Sequence, residues 1–333
     1  MPAFDMPLEQ LKKYRPALTR PADFDAFWKK ALRESSAEPV EPEFYPVRNY
    51  SVREVNVYEA RYRGFQGAAI ACWFLAPNKP GSLGDPCPCV IFYHGYSGNK
   101  GMPNQYLHWA MQGFCVLAVD TRGQSGDADD PGPYAGGHQS GWMTMGIMTP
   151  EQYYFRRVYL DCLRALDAVR HRPEVDETRL ILTGMSQGGA LTLAVAALAG
   201  DRAAFAISEM PFLCHFERAI RICGAGPFLE LAEYFKKYPD REEKAMKTLA
   251  YCDVMNLAPW IKCKSVVTVG LWDDICPPST VFAAYNHMKC RREIRVFPYH
   301  KHEGVMAFAE EKVHLIRRFA EESRGRGGKR SGR

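Results

Sequence analysis

Apolar positions along the chain fall into short runs that alternate with stretches of helical spacing. Phe24, Phe27, Trp28 and Leu32 recur at helical intervals, so the first ~40 residues are expected to be helical. Two strand-like runs follow. Residues 52–62 alternate, with Val55, Val57 and Glu59 on one side and Asn56 and Tyr58 on the other, and residues 68–75 are nearly all apolar. From Cys89 the pattern changes to the short apolar runs Cys89–His94, Phe114–Val119, Leu180–Thr183, Ala204–Ser208, Ser265–Leu271 and Glu293–Phe297, separated by helical segments. In one of these segments Phe155, Tyr159, Cys162, Leu166 and Val169 step by four, three, four and three residues and so share a face. Strands separated by helices predict an α/β fold with a mainly parallel central sheet and helices on both faces. Residues 212–250 are helical and amphipathic without a strand, and read as an insertion over one end of the sheet.

Composition narrows the class. The 333 residues are 47% hydrophobic and 24% charged, a globular balance that excludes a mostly disordered or fibrous chain. The net charge of +5 is matched by five basic residues, with no acid, in Arg324–Arg333. The body is therefore neutral and offers no argument for a nucleic-acid partner. A single domain over residues 1–322 with a disordered basic tail over 323–333 is the expected organisation. The longest mostly apolar run, Gly189–Gly200, is about half of the ~20 residues a membrane helix needs. The first residues lack the layout of a signal peptide, and the eleven cysteines show no C-x-x-C spacing. Buried thiols in a reducing, cytoplasmic setting are expected.

Chemistry concentrates in one motif. Gly184-Met185-Ser186-Gln187-Gly188 follows the strand ending at Thr183 and opens the apolar helix 190–198, the context a nucleophile elbow requires. A serine hydroxyl needs a base, and the base needs an orienting group. In elbow-bearing folds the order is serine, acid, histidine, the last two just beyond strand ends. Asp273 and His302 satisfy that order; Asp274 and His300 compete with them, and Asp273 and His302 are preferred. Oxyanion donors are expected from the Gln187 N–H and from Tyr96 in the loop His94–Gly98, with His94 packed beneath it. Arg122 is read as a brace between loops, and the Gly- and aromatic-bearing segment 134–146 as either a pocket wall or an oligomer contact. His302-Glu303 does not open an HExxH zinc motif, because residue 306 is Met, and no metal or cofactor is expected.

The chain also resembles the cephalosporin C deacetylase / acetyl xylan esterase family, carbohydrate esterase family seven. Arg122-Gly123-Gln124, Gly184-Met-Ser-Gln-Gly188 and His302-Glu303 carry the likeness. Tyr93-His-Gly-Tyr96, Gly270-Leu-Trp-Asp273, Cys276-Pro-Pro-Ser-Thr-Val-Phe-Ala-Ala-Tyr285, Phe4-Asp-Met-Pro-Leu8 and Pro21–Trp28 support it over roughly residues 1–322. The resemblance implies an α/β-hydrolase fold, a Ser186–Asp273–His302 triad and oxyanion donors at Tyr96 and Gln187. It further implies Pro227 and Ile275 at the acyl pocket, with Tyr96 among the substrate contacts. Deacetylation of small substrates such as acetylated xylo-oligosaccharides and cephalosporin C, and a ring-like homohexamer, are implied as well. An acyltransferase or general short-chain carboxylesterase with the same triad, and a non-catalytic hydrolase-like binding protein, are the competing readings. An intact Ser, Asp and His argue against the last.

Overall fold

A computed structural model describes residues 5–79 and 81–324. Nine strands form one sheet: β1 (Glu43–Pro46), β2 (Val55–Arg63), β3 (Ala69–Pro77), β4 (Cys87–Tyr93), β5 (Cys115–Val119), β6 (Val175–Met185), β7 (Phe205–Glu209), β8 (Lys264–Gly270) and β9 (Arg292–Phe297). Their spatial order is β1-β2-β3-β5-β4-β6-β7-β8-β9. The five pairings from β5 through β4 to β9 are parallel, and the three that add β1, β2 and β3 are antiparallel. The mainly parallel α/β arrangement expected from the run pattern is therefore present, and it agrees with the α/β-hydrolase fold that the family resemblance implies.

Because helices cover both faces, alternate residues of a strand enter different cores. Ile91 and Tyr93 of β4 join the core under helices Phe24–Ala37, Tyr154–Val169, Gln187–Leu198 and Pro278–His287, whereas Val90 faces Leu107–Met111 and Met306–Ser323. This two-sided burial corrects the alternation expected of β2. Val55 and Val57 are buried on one face and Ala60 and Tyr62 on the other, while Glu59 is exposed. The strand passes from beneath one helical layer to the other near its middle, so burial changes side although the pleat does not.

The N-terminal expectation also needs correction. Among the described residues before β1, only Leu8–Leu11 and Phe24–Ala37 are helical, and Pro16 and Pro21 lie between them. Proline removes a backbone donor and pushes the residue before it out of the helical region, which keeps that connection open. β1 was not foreseen. The final helix runs to Ser323; Phe4 and the basic stretch 325–333 fall outside the described residues. All eleven cysteines are free, and nine of them are buried. No helix among the described residues is long and apolar enough to cross a membrane.

The expected insertion consists of helices Phe216–Ile222, Phe228–Lys237 and Glu242–Cys252. Buried Asp253 pins its two ends together. Its carboxylate accepts from the N–H groups of His215 (2.8 Å) and Phe216 (3.0 Å) at the start, and of Met255 (2.8 Å) just past the end. Asp253→Ala should lose roughly 3 kcal/mol or more of stability, since three buried donors lose their acceptor at about 1–3 kcal/mol each. Urea denaturation reads this directly; an unchanged midpoint would show that the insertion is anchored elsewhere.

Candidate active site

Tyr93 at the end of β4 pairs with Gly184 on β6, so the segments leaving these strands emerge side by side. That closeness explains the glycines of the elbow. A Cβ on either Gly184 or Gly188 would run into the carbonyl oxygen of Tyr93. Between them Ser186 is driven to φ 61°, ψ −119°, a conformation costing a non-glycine residue on the order of 1–3 kcal/mol. The surroundings hold it there. Its N–H donates to the Glu209 carbonyl at the end of β7 (2.8 Å), and its carbonyl accepts from the N–H groups of Phe212 and Ala190 (both 3.0 Å). Helix Gln187–Leu198 starts directly after it.

Gly270 of β8 pairs with Phe297 of β9, and both chains continue past the same sheet edge as Ser186. Asp273 lies fully buried three residues on. Its Oδ1 accepts from the N–H groups of Ile275 (3.0 Å) and Cys276 (2.7 Å), which leaves Oδ2 for His302 Nδ1 at 2.7 Å. Asp274 is instead half-buried, and its carbonyl accepts from Gly224 N–H (3.0 Å). His300 takes the Trp272 N–H on its carbonyl (3.0 Å) and sets its ring edge-on to Phe297. Of the two acid–histidine choices, the geometry pairs Asp273 with His302. No hydrogen bond joins His302 to Ser186 among the described residues. Cys276, which the sequence reading did not single out, adjoins the pair: its thiol lies within 4.8 Å of a carboxylate oxygen of Asp273 and a ring nitrogen of His302. Burial pushes that thiol well above its ordinary range, so it is a neutral neighbour. Asp273, Cys276 and His302 are also the group close enough to ligate a metal among the described residues, but the carboxylate and imidazole are already committed to each other.

The loop after β4 lies against the serine: a Cβ on Gly95 would sit 3.9 Å from Ser186 Cβ. His94 bolts this loop in place. Thr121 N–H donates to its Nε2 (2.9 Å), so the proton is on Nδ1, which donates to the Gly95 carbonyl (2.7 Å). Burial lowers its pKa and favours this neutral form. Gln124 ties the loop to the elbow, accepting from Ser97 N–H (3.0 Å) and donating to Gln187 Oε1 (2.8 Å). No backbone hydrogen bond commits the N–H of Tyr96 or Gln187 among the described residues. Arg122 is fully buried on Asp161 (2.5 and 2.8 Å) and the Phe65 carbonyl (2.7 Å), which is bracing and not a site contact.

The segments that carry Pro227 and Ile275 pack against each other. Both residues are half-buried, and a Cβ on Gly226, next to Pro227, would lie 2.7 Å from Ile275 Cγ2. The aromatic segment turns inward: Trp142 sets its ring edge-on to Tyr96 at 5.2 Å and donates from Nε1 to the Gly123 carbonyl (3.0 Å). Trp142 thus packs against the ring of Tyr96 and remains half-buried. Glu230, which nothing in the sequence marked, accepts from the Tyr96 hydroxyl with both oxygens (2.7 and 2.9 Å). Its only sequence signal is a place three residues after Pro227.

Comparison with known proteins follows the geometry. The profile of the acetyl xylan esterase (AXE1) family matches residues 1–319. The chain is similar to the acetyl xylan esterase from Paenibacillus sp. R4, at 42% identity and a TM-score of 0.90 over 94% of this chain and 99% of that one. Acetyl xylan esterase 1 from Thermoanaerobacterium sp. JW/SL YS485 aligns with 35% identity and a TM-score of 0.89, over 95% and 99% of the two chains. The acetyl esterase Axe7A of Xylanibacter ruminicola is 29% identical over 296 residues, 86% of this chain. The match spans 65% of that relative's own length.

Proposed function

The chain belongs to the acetyl xylan esterase family, and from that premise we propose that it is a serine carboxylic-ester hydrolase acting on acetyl esters. Its substrates are small acetylated molecules, with xylo-oligosaccharides and cephalosporin C as the test cases. One observation carries the reading: a serine in a left-handed elbow and a 2.7 Å Asp273–His302 pair lie at one sheet edge.

In this mechanism Ser186 Oγ attacks the acetyl carbonyl while His302 Nε2 takes the hydroxyl proton. Asp273 holds the imidazole by Nδ1 and stabilises the imidazolium. The carbonyl oxygen, now negative, is received by the Tyr96 and Gln187 N–H groups. Collapse expels the sugar alkoxide, which takes the proton from His302, and leaves acetate esterified to Ser186. Water then attacks with His302 again as base, releasing acetate and the free serine. Release of acetate from acetylated xylo-oligosaccharides and from cephalosporin C tests the substrate assignment; hydrolysis of neither would reject it.

Acyl size is set by the wall of Ile275 and Pro227. Pro277 and Pro278 stiffen the loop that carries Ile275, and the Gly226 contact leaves it little room to yield. A merely apolar pocket would gain ~0.8 kcal/mol per buried methylene and favour longer chains. A rigid wall excludes them. kcat/KM should therefore fall from acetate through butyrate to octanoate p-nitrophenyl esters, and a rising series would replace this reading with an open acyl tunnel. The protein is further proposed to act as a homohexamer in the cytoplasm. Light scattering should report a particle several times the 37.7 kDa chain, and a monomer at micromolar concentration would contradict that assembly.

A further inference from the structure

The proposed oxyanion donor Tyr96 sits in a short loop whose backbone is anchored at Gly95, Ser97 and Gly98, whereas no hydrogen bond among the described residues holds the Tyr96 N–H itself. Gly98 N–H closes a turn onto the Gly95 carbonyl (3.0 Å), and Ser97 adopts φ 56° with its N–H on Gln124. The Tyr96 side chain is held much more firmly. Its hydroxyl donates to Glu230 and accepts from Trp142 N–H (2.6 Å). The same carboxylate accepts from Met143 N–H (3.1 Å). The ring is gripped edge-on by Trp142 at 5.2 Å and Phe212 at 6.1 Å, and Phe212 in turn donates to the Ser186 carbonyl. A Cβ on Gly141 would collide with the Glu230 carboxylate, so the loop backbone is packed hard against it.

Two donors, the Tyr96 hydroxyl from the oxyanion loop and the Met143 N–H from the segment 141–143, thus converge on one carboxylate. The carboxylate itself comes from the helical insertion, on helix Phe228–Lys237, where Glu230 N–H donates to the Pro227 carbonyl (3.1 Å). No hydrolytic step uses it. Burial raises the Glu230 carboxyl and the Tyr96 hydroxyl above their ordinary values, which keeps the phenol protonated as a donor.

We propose that Glu230 is a positioning residue for catalysis: by holding the Tyr96 hydroxyl it keeps the Tyr96 backbone N–H in register with Ser186. The inference rests on the esterase reading above. It explains why a carboxylate lies among backbone N–H groups at the seam between the insertion and the sheet. It also links the insertion that carries Pro227 to the oxyanion loop.

The test uses the full chain and p-nitrophenyl acetate, with kcat and KM separated, alongside inhibition by a phenylboronic acid that forms a tetrahedral serine adduct. Glu230→Ala should lower kcat about ten- to a hundredfold with little change in KM, less than outright loss of a donor. Boronate inhibition should weaken in parallel, because the adduct needs the same N–H. Tyr96→Phe, which keeps the backbone N–H and removes only the hydroxyl, should show the same split. The double variant should be no worse than the worse single one. Glu230→Gln keeps an acceptor and should recover most of the rate. If Glu230→Ala fails to fold, Tyr96→Phe must give the loss by itself. Wild-type kcat in Tyr96→Phe or in folded Glu230→Ala, unchanged boronate inhibition, or additive losses would each overturn the proposal while Ser186→Ala is inactive. Wild-type rates in Ser186→Ala would overturn the esterase reading and this inference with it.

Discussion

Ser186→Ala should reduce kcat for p-nitrophenyl acetate by on the order of 10⁴- to 10⁶-fold, the range seen when a triad nucleophile is removed. The elbow explains why no neighbour can substitute. Met185 and Gln187 flank the serine in strand and helix geometry, and the neighbouring Cys276 thiol is fully buried and held neutral. Alanine at residue 186 keeps the strained φ of 61°, so the variant should lose activity without gaining stability. Steady-state rates paired with a thermal melt check both halves of the expectation. A variant retaining more than about a tenth of the wild-type rate would show that Ser186 is not the nucleophile.

The second large effect separates two histidines. His302→Ala should fall by a similar factor, on the order of 10⁴ or more, because an unassisted hydroxyl is a weak nucleophile. His300→Ala should stay within about tenfold of wild type, since it removes only an edge-on contact with Phe297 and leaves the Trp272 N–H its backbone acceptor. The distinction comes from Asp273. With Oδ1 occupied by two backbone N–H groups, the single free oxygen of a fully buried carboxylate can orient one imidazole, and it holds His302. Ser186→Ala/His302→Ala should be no slower than either single variant, as expected of groups acting as a unit. The reverse order of the two histidine effects would move the base to His300.

What the sequence revealed and concealed follows from the range of the interactions involved. β3 to β8 are legible because each carries a dense, buried apolar run, and β2 because its apolar residues alternate with polar ones. Gly184 and Gly188 are legible because the tight turn is local, although their deeper cause, the Tyr93 carbonyl, comes from another strand. β1 escaped notice because it is four residues long, largely exposed and pairs only at the sheet edge. The break between Leu11 and Phe24 was masked by the strong helical spacing that begins at Phe24, although Pro16 and Pro21 announced it. The order β5-β4-β6, which sets the Tyr96 loop beside the serine, leaves no mark in the linear pattern.

Site residues follow the same rule. Ser186, Asp273 and His302 are each announced by a position just after a strand, and the fold brings the last two into contact. Glu230 meets Tyr96 across 134 residues of sequence, and on an amphipathic helix an isolated glutamate reads as a solvated one. Trp142 left two readings open, because an aromatic in a glycine-rich loop suits a pocket wall or an oligomer contact; its indole is held by the Gly123 carbonyl and Tyr96. Cys276 was hidden among eleven cysteines, most of them buried for packing alone.

The claim on which everything else depends is that Ser186 becomes covalently acylated, and a serine-directed fluorophosphonate tests it most directly. Folded protein treated with the probe should gain one label per chain, and peptide mapping should find it on Ser186. Label on any other residue, or no label on protein that is still folded, would contradict the account.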